Sequence, residues 1–204
     1  MKIYEYAQAP NCRRVRMFLA EKGIEGVEFV PVDIARGENR TDDYRRKDFN
    51  GKVPVLELDD GTTIAESVAI KRYLEELYPE QPLFGRDAKE RARVEMWNRR
   101  AEFNLMVNVG MCFQHTTGFF ADRMTTFPEY GEECGRKALA FFDELDRHLA
   151  DNRYLAGDYY SVADIGMVCA LDFGKVVNLR PSADKHPHLK RWRDELNERP
   201  SARA

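Results

Sequence analysis

Along the first eighty or so positions, short apolar runs alternate with a helical spacing of apolar residues. Residues 2–6 (KIYEY) and 27–33 (VEFVPVD) carry the β-branched and aromatic side chains that favour strands. Between them, residues 13–22 set Val15, Met17, Phe18 and Leu19 on one broad helical face, and Gly23 follows where a helix would close. Residues 38–49 read as a polar, loosely packed helix. Residues 53–58 and 62–65 flank Asp59-Asp60-Gly61, a hairpin signal, and 67–77 predicts a helix stopped by Pro79 and Pro82. The predicted order is βαβ, then α, then ββα.

From residue 87 onward the strand pattern stops, and long amphipathic segments at 88–120, 130–150, 161–177 and 186–198 predict helices. The Pro- and Gly-bearing stretch 78–85 reads as a linker. The expected fold class is therefore α/β plus all-α, with a small α/β domain at 1–79 and an all-helical domain at 87–204. No internal repeat is visible.

Composition narrows the field. The 204 residues suffice for two domains, and 43% hydrophobic with 33% charged residues excludes extended disorder. Lys and Arg number 32 against 35 Asp and Glu, a formal net charge of −3 that lacks the basic excess of a nucleic-acid binder. Mean hydropathy is −0.60, and no apolar run approaches the roughly 18 residues of a membrane span, so no membrane partner is expected. The strand signal starts at once, with no charged-then-apolar leader, and Cys12, Cys112, Cys134 and Cys169 lie far apart without metal spacing. A cytoplasmic protein with reduced thiols and no metal is the expectation.

Three short strings carry candidate chemistry. Ala9-Pro10-Asn11-Cys12-Arg13-Arg14-Val15 joins the first strand to the first helix, where open backbone N–H groups suit an anion; an ordinary turn fits the same residues. In Gly51-Lys52-Val53-Pro54 a proline opens a strand. If its bond is cis, Val53 presents its backbone to an extended peptide, whereas a trans bond makes it a plain strand start. Glu66-Ser67 precedes a helix: hydroxyl and N–H groups suit a carboxylate and Glu66 an ammonium, the two charges of an α-amino acid, although simple capping explains the pair too.

In this order and spacing the three strings resemble the cytosolic glutathione transferase family, bacterial type. Gly51-Lys52-Val53-Pro54-Val55-Leu56 and Glu66-Ser67-Val68-Ala69-Ile70 are similar to its two most diagnostic strings. Leu155-Ala156-Gly157-Asp158 with Ser161-Val162-Ala163-Asp164, and His186-Pro187-His188-Leu189 with Trp192 and Arg199-Pro200, resemble its helical-domain signatures, so the likeness spans the chain. It implies a thioredoxin-like domain followed by a helical-bundle domain, a homodimer, and glutathione as co-substrate. By the same resemblance Val53, ahead of a cis Pro54, pairs with the cysteinyl backbone, and Glu66 and Ser67 hold the γ-glutamyl head. Lys52, with Asn39 or Arg40, faces the glycyl carboxylate.

At the catalytic position the sequence departs from the family: Ala9 stands where members carry serine or cysteine, and Cys12 falls where a redox relative keeps its resolving thiol. The turn is nearest to nu-like members, with Asn11 matching their asparagine. Ionising a thiol of pKa about 8.5 at pH 7 costs roughly 2 kcal/mol. A helix N-terminus returns about 0.3–1 kcal/mol and a hydrogen bond to a charged group about 1.5–3. Asn11 with the first-helix amides, that of Cys12 among them, is thus expected to stabilise the thiolate, and the Cys12 thiol is the other candidate. Tyr4 and Tyr6 read as strand packing.

The resemblance places a small hydrophobic electrophile between the domains, along the first long helix of the C-terminal half. There Phe103, Met106, Val107, Gly110 and Met111 are the candidate lining, with Phe113 beyond them, and Asn104, Asn108 and His115 add polar groups. Arg13, Arg14 and Arg16 read as solvated faces of the first helix or as interface charges. Three functions follow: conjugation of glutathione to the electrophile, glutathione-dependent reduction of a disulfide or peroxide, or a non-enzymatic interaction module. The intact Val53-Pro54 and Glu66-Ser67 strings argue against the third.

Overall fold

The strand-forming runs pair into one four-stranded mixed sheet in a computed structural model that describes Met1–Ala204. Strand β1 (Lys2–Glu5) lies parallel to β2 (Glu28–Pro31) and antiparallel to β3 (Val55–Glu57), which pairs with β4 (Thr63–Ala65), giving the order β2-β1-β3-β4. The crossover from β1 to β2 is helix α1 (Pro10–Lys22), with proline at a position whose missing N–H costs nothing. Gly23 ends it at φ 61°, and the next amide, of Ile24, reaches back to Leu19 O at 3.0 Å. Met17, Phe18, Leu56, Ile70 and Leu74 are among the fully buried side chains of this unit, while Val32, Tyr44 and Val55 form a smaller cluster with Tyr4 and Val53.

The polar helix expected over 38–49 is instead a 3-10 turn, Glu38–Arg40, and a four-residue helix α2 (Asp42–Arg45). Side chains take over the backbone's hydrogen bonds there. Thr41 Oγ1 caps α2 by accepting from the Tyr44 amide, and the buried Asp48 accepts from the Lys52 amide at 2.7 Å. Tyr44 Oη donates to Lys52 O at 2.8 Å and Asn39 Nδ2 to Gly51 O at 2.6 Å. Helix α3 (Ser67–Leu77) has the bounds its apolar spacing predicts.

The helical unit, Leu83–Arg199, starts with α4 (Ala88–Arg100), capped by Asp87 accepting from the Glu90 amide at 2.8 Å. It runs through a π-helical stretch, Ala101–Met106, into α5 (Val107–Thr116). Then come α6 (Pro128–Asp151), α7 (Val162–Gly174) and α8 (Pro187–Asn197). Gly131 and Gly135 of α6 let α5 approach closely: a Cβ on Gly131 would stand 2.8 Å from Thr116 Cγ2 and 2.9 Å from His115 Cβ. Helix α7 is apolar apart from Asp164 and Asp172, and nearly all of it is buried. At its start the fully buried Asp164 accepts from the amides of Leu155 and Ser161, the Ser161 hydroxyl and Trp192 Nε1, each at 2.9–3.0 Å. Burial still pushes its carboxyl above the ordinary range. No helix is long and apolar enough to cross a membrane.

The division of the chain differs from the expected one at both ends. The first unit runs to Pro82 and regains Pro200–Ala204, residues the sequence reading left in the helical domain. The cause is tertiary: the closing 3-10 turn, Pro200–Arg203, lies on α1. Arg13 donates to Ala202 O at 3.2 Å and the Ser201 hydroxyl to the Glu21 carboxylate.

Candidate functional site

The start of α1 is open. Ala9 occupies the N-cap position in an extended conformation, with no side chain to accept a hydrogen bond, and Pro10 follows. Asn11 is half-buried, and neither its amide nor its side chain is hydrogen-bonded within the chain. The Cys12 amide, expected to face a sulfur, instead donates to Ala9 O at 3.1 Å, so the donors left at this turn are those of Asn11. Cys12 itself points into the core, 1% exposed. Burial pushes its thiol up to about 12, with Glu5 adding to the rise. At neutral pH it is a packed, protonated side chain rather than a nucleophile.

The second string is present as a presented backbone. The Val53-Pro54 bond is cis, and the Val53 amide and carbonyl take part in no hydrogen bond within the chain. The preceding residues are gripped by Asn39, Tyr44 and Asp48 as described, and Gly51, at φ 62°, is the residue that lets Asn39 O approach: a Cβ there would stand 2.6 Å from it. Asn39 therefore spends its amide on the loop. The Lys52 side chain is exposed.

At the third string, Glu66 is exposed and holds φ 67°, an uncommon backbone for a non-glycine residue. No side chain caps α3, and the Ser67 and Val68 amides bond to nothing in the chain. The Ser67 hydroxyl is buried and accepts from Arg14 Nη1 at 3.2 Å, which ties the start of α3 to the second turn of α1. Arg14 is 2% exposed, so the solvated role read for it does not hold: it shares a helical face with Val15 and Phe18. Arg16 is paired with Glu5, and Arg13 with the C-terminal turn. The Tyr4 hydroxyl donates to Glu57 at 3.0 Å and that of Tyr6 to Gln8 at 2.9 Å, so both are in use.

In the helical unit, Phe103, Val107, Gly110 and Met111 sit at helical spacing on one face that is exposed or half-buried, and nothing lies within 4 Å of a Cβ built on Gly110. Met106 turns the other way, into the core with Leu105 and Val109. The π-helical turn carries Phe103, a feature frequent at functional sites. Asn108 Nδ2 donates to the Phe103 and Asn104 carbonyls, and the buried His115 accepts from the Phe127 amide at 3.0 Å, so both serve the fold. All four cysteines are free thiols, and no three His, Cys, Asp or Glu side chains gather as metal ligands.

Sequence reading missed Arg14, Tyr44 and Asp48. An arginine and an aspartate read as solvent-facing by residue type, yet Arg14 follows the buried face of α1 in register, and that periodicity was the available signal.

Comparison with known proteins matches both units. The profile of the glutathione S-transferase N-terminal domain covers residues 3–82, and that of the C-terminal domain covers residues 111–200. Glutathione S-transferase 2 of Saccharomyces cerevisiae is 35% identical over 206 residues, spanning 100% of this chain and 88% of its own. The crystal structure of a glutathione S-transferase domain-containing protein from Marinobacter aquaeolei matches with a TM-score of 0.94 at 42% identity, covering 98% of this chain and 99% of that one. Gtt2 from Saccharomyces cerevisiae matches with a TM-score of 0.94 at 35% identity, over 100% and 99%.

Proposed function

Because the chain is an enzyme of the glutathione S-transferase family, we propose that it activates the thiolate of glutathione toward a small hydrophobic electrophile. The observation that carries this reading is the unpaired Val53 backbone accompanied by the uncapped starts of α1 and α3, a set of open groups suited to a peptide ligand. Val53 pairs with the cysteinyl backbone. Ser67 and the first α3 amides take the γ-glutamyl carboxylate, and Glu66 takes the ammonium. Lys52 takes the glycyl carboxylate, with Asn39 holding the loop that carries it.

Asn11, rather than Cys12, acts on the sulfur. Its side-chain N–H and its backbone amide donate to the thiolate, and the helix start adds a favourable potential. Together these offset the roughly 2 kcal/mol of ionisation at pH 7. The thiol proton passes to water. The thiolate then attacks an electrophilic carbon, forming the S–C bond as the carbon–halogen bond of an aryl halide breaks and halide leaves with the electron pair. The face of Phe103, Val107, Gly110 and Met111 receives the apolar part of that substrate. We further propose a cytoplasmic homodimer of the 23.7 kDa chain, read from the family resemblance.

The test compares Asn11→Ala with Cys12→Ala and Cys12→Ser, following aryl-halide conjugation and the ultraviolet titration of bound glutathione. Asn11→Ala is expected to raise the pKa of the bound thiol by about one to two units and lower kcat/KM about 10- to 100-fold. Both Cys12 variants keep conjugation within a few-fold. Full activity in Asn11→Ala with loss in both Cys12 variants would sink the assignment. A small mixed disulfide and a hydroperoxide, assayed beside the aryl halide, decide between conjugation and glutathione-dependent reduction.

A further inference from the structure

Of the polar side chains on α5, one has no partner. Asn108 Nδ2 donates to the Phe103 and Asn104 carbonyls, the His115 ring accepts from the Phe127 amide, and the Thr116 hydroxyl donates to Cys112 O at 2.7 Å. The Gln114 carboxamide is half-buried, and no group of the chain bonds to it. It stands four residues after Gly110, three after Met111 and seven after Val107, so it continues the stripe that those residues form. Helical side chains lean toward the start of the helix, and Gln114 therefore reaches over the turn that holds Gly110. Nothing lies within 4 Å of a Cβ built on Gly110. Beside that gap stands Phe113, whose ring packs with those of Phe119 and Phe120 at centroid distances of 5.4 and 6.1 Å. An open slot is thus flanked by an aromatic ring and headed by free N–H donors.

We propose that Gln114 selects, among the electrophiles received on this face, those whose reacting carbon is conjugated to a carbonyl: aryl-substituted α,β-unsaturated ketones and aldehydes. This rests on the glutathione-conjugation reading of the site. The thiolate adds to the β-carbon and forms the S–C bond. The alkene pair moves to join the α-carbon to the carbonyl carbon, and the carbonyl pair moves onto oxygen as an enolate. Gln114 Nε2–H donates to that oxygen, and the bond strengthens as the charge develops. Water then returns to the α-carbon the proton that the thiol gave up, so nothing leaves. A carboxamide suits the task because it donates without carrying an ionisable proton. In a benzylic halide the charge departs with the halide, and no carbonyl oxygen is present.

The experiment assays the full chain, at saturating glutathione, with two electrophiles that share a phenyl ring: benzylideneacetone and benzyl chloride. In Gln114→Leu the ratio of kcat/KM for benzylideneacetone to that for benzyl chloride is expected to fall about 10- to 100-fold, with the loss in kcat. Gln114→Glu keeps the shape and loses the donor, and it should lower the ratio at least as far. A ratio within about 3-fold of wild type in either variant, or a fall carried by KM alone, overturns the proposal. Wild-type protein that conjugates benzyl chloride and leaves benzylideneacetone untouched overturns it as well. Wild-type protein inert toward both overturns the conjugation reading itself, and the proposal falls with it.

Discussion

At the start of α7, Asp164 accepts four hydrogen bonds, from the Leu155 and Ser161 amides, the Ser161 hydroxyl and Trp192 Nε1, and all of these groups are sealed from water. At the start of α1, Ala9 offers no side-chain acceptor, Pro10 has no amide, and the donors of Asn11 are left over. The start of α3 is open in the same way, under a Glu66 held at positive φ. Every helix begins with unsatisfied amides, and a protein either closes them with its own side chains or leaves them for something else. Here the closed start of α7 serves the stability of the helical unit, while the open starts of α1 and α3 in the α/β unit are available to a ligand. The contrast between Asp164 and Ala9 is a contrast between two uses of the same backbone chemistry.

The severest way to break the comparison is to open the closed end. Asp164→Ala strands four donors in a dry interior and is expected to cost about 3–5 kcal/mol, read as a lower urea midpoint by far-ultraviolet circular dichroism. A loss below about 1 kcal/mol would mean that the box is decorative.

A second test asks how far the openness of α1 extends around its first turn, since Asn11 faces out and Cys12 faces in. A thiol held protonated by folding, with its pKa near 12 against 9.0 for the ordinary group, leaves stability untouched below pH 9. Above pH 9 the unfolded chain ionises and the folded one does not, so stability falls by about 1.4 kcal/mol per pH unit toward 12. Cys12→Ala should flatten that slope by the same amount in urea titrations at successive pH values. An identical slope in the variant would place the thiol in contact with solvent.

The mildest test closes the open end. Ala9→Ser supplies the missing acceptor and should add about 0.5–1 kcal/mol to stability, measured in the same denaturation assay. No gain would indicate that the first turn of α1 is not short of a cap.

How much of this was readable beforehand follows from the range of each interaction. Helix α3 was fully legible because its apolar spacing, its preceding Glu66-Ser67 and its two following prolines all lie within the segment itself. The hairpin of β3 and β4, and Gly23 at the end of α1, were legible for the same reason. The stretch 38–49 was not, because the side chains of Asn39, Tyr44 and Asp48 bond to the backbone of Gly51 and Lys52, contacts that the spacing within 38–49 does not encode. Within the site, the strings around Val53 and Ser67 carried their own signal. The register of Arg14 on the buried face of α1 was a local signal, but its partner Ser67 lies fifty-three positions away and no local pattern encodes the pairing. Met106 was misplaced because the π-helical turn shifts the phase of the apolar stripe.

The turn at Pro200–Ala204 belongs to the first unit, although all of Leu83–Arg199 lies in between. On a ribosome adding about 5–20 residues per second, that interval lasts on the order of ten seconds. Throughout it the α/β unit has its sheet sequence and its helices, while the face of α1 bearing Arg13 and Glu21 waits for partners not yet made. The unit that holds the sheet is completed only after the whole of the helical unit has been made.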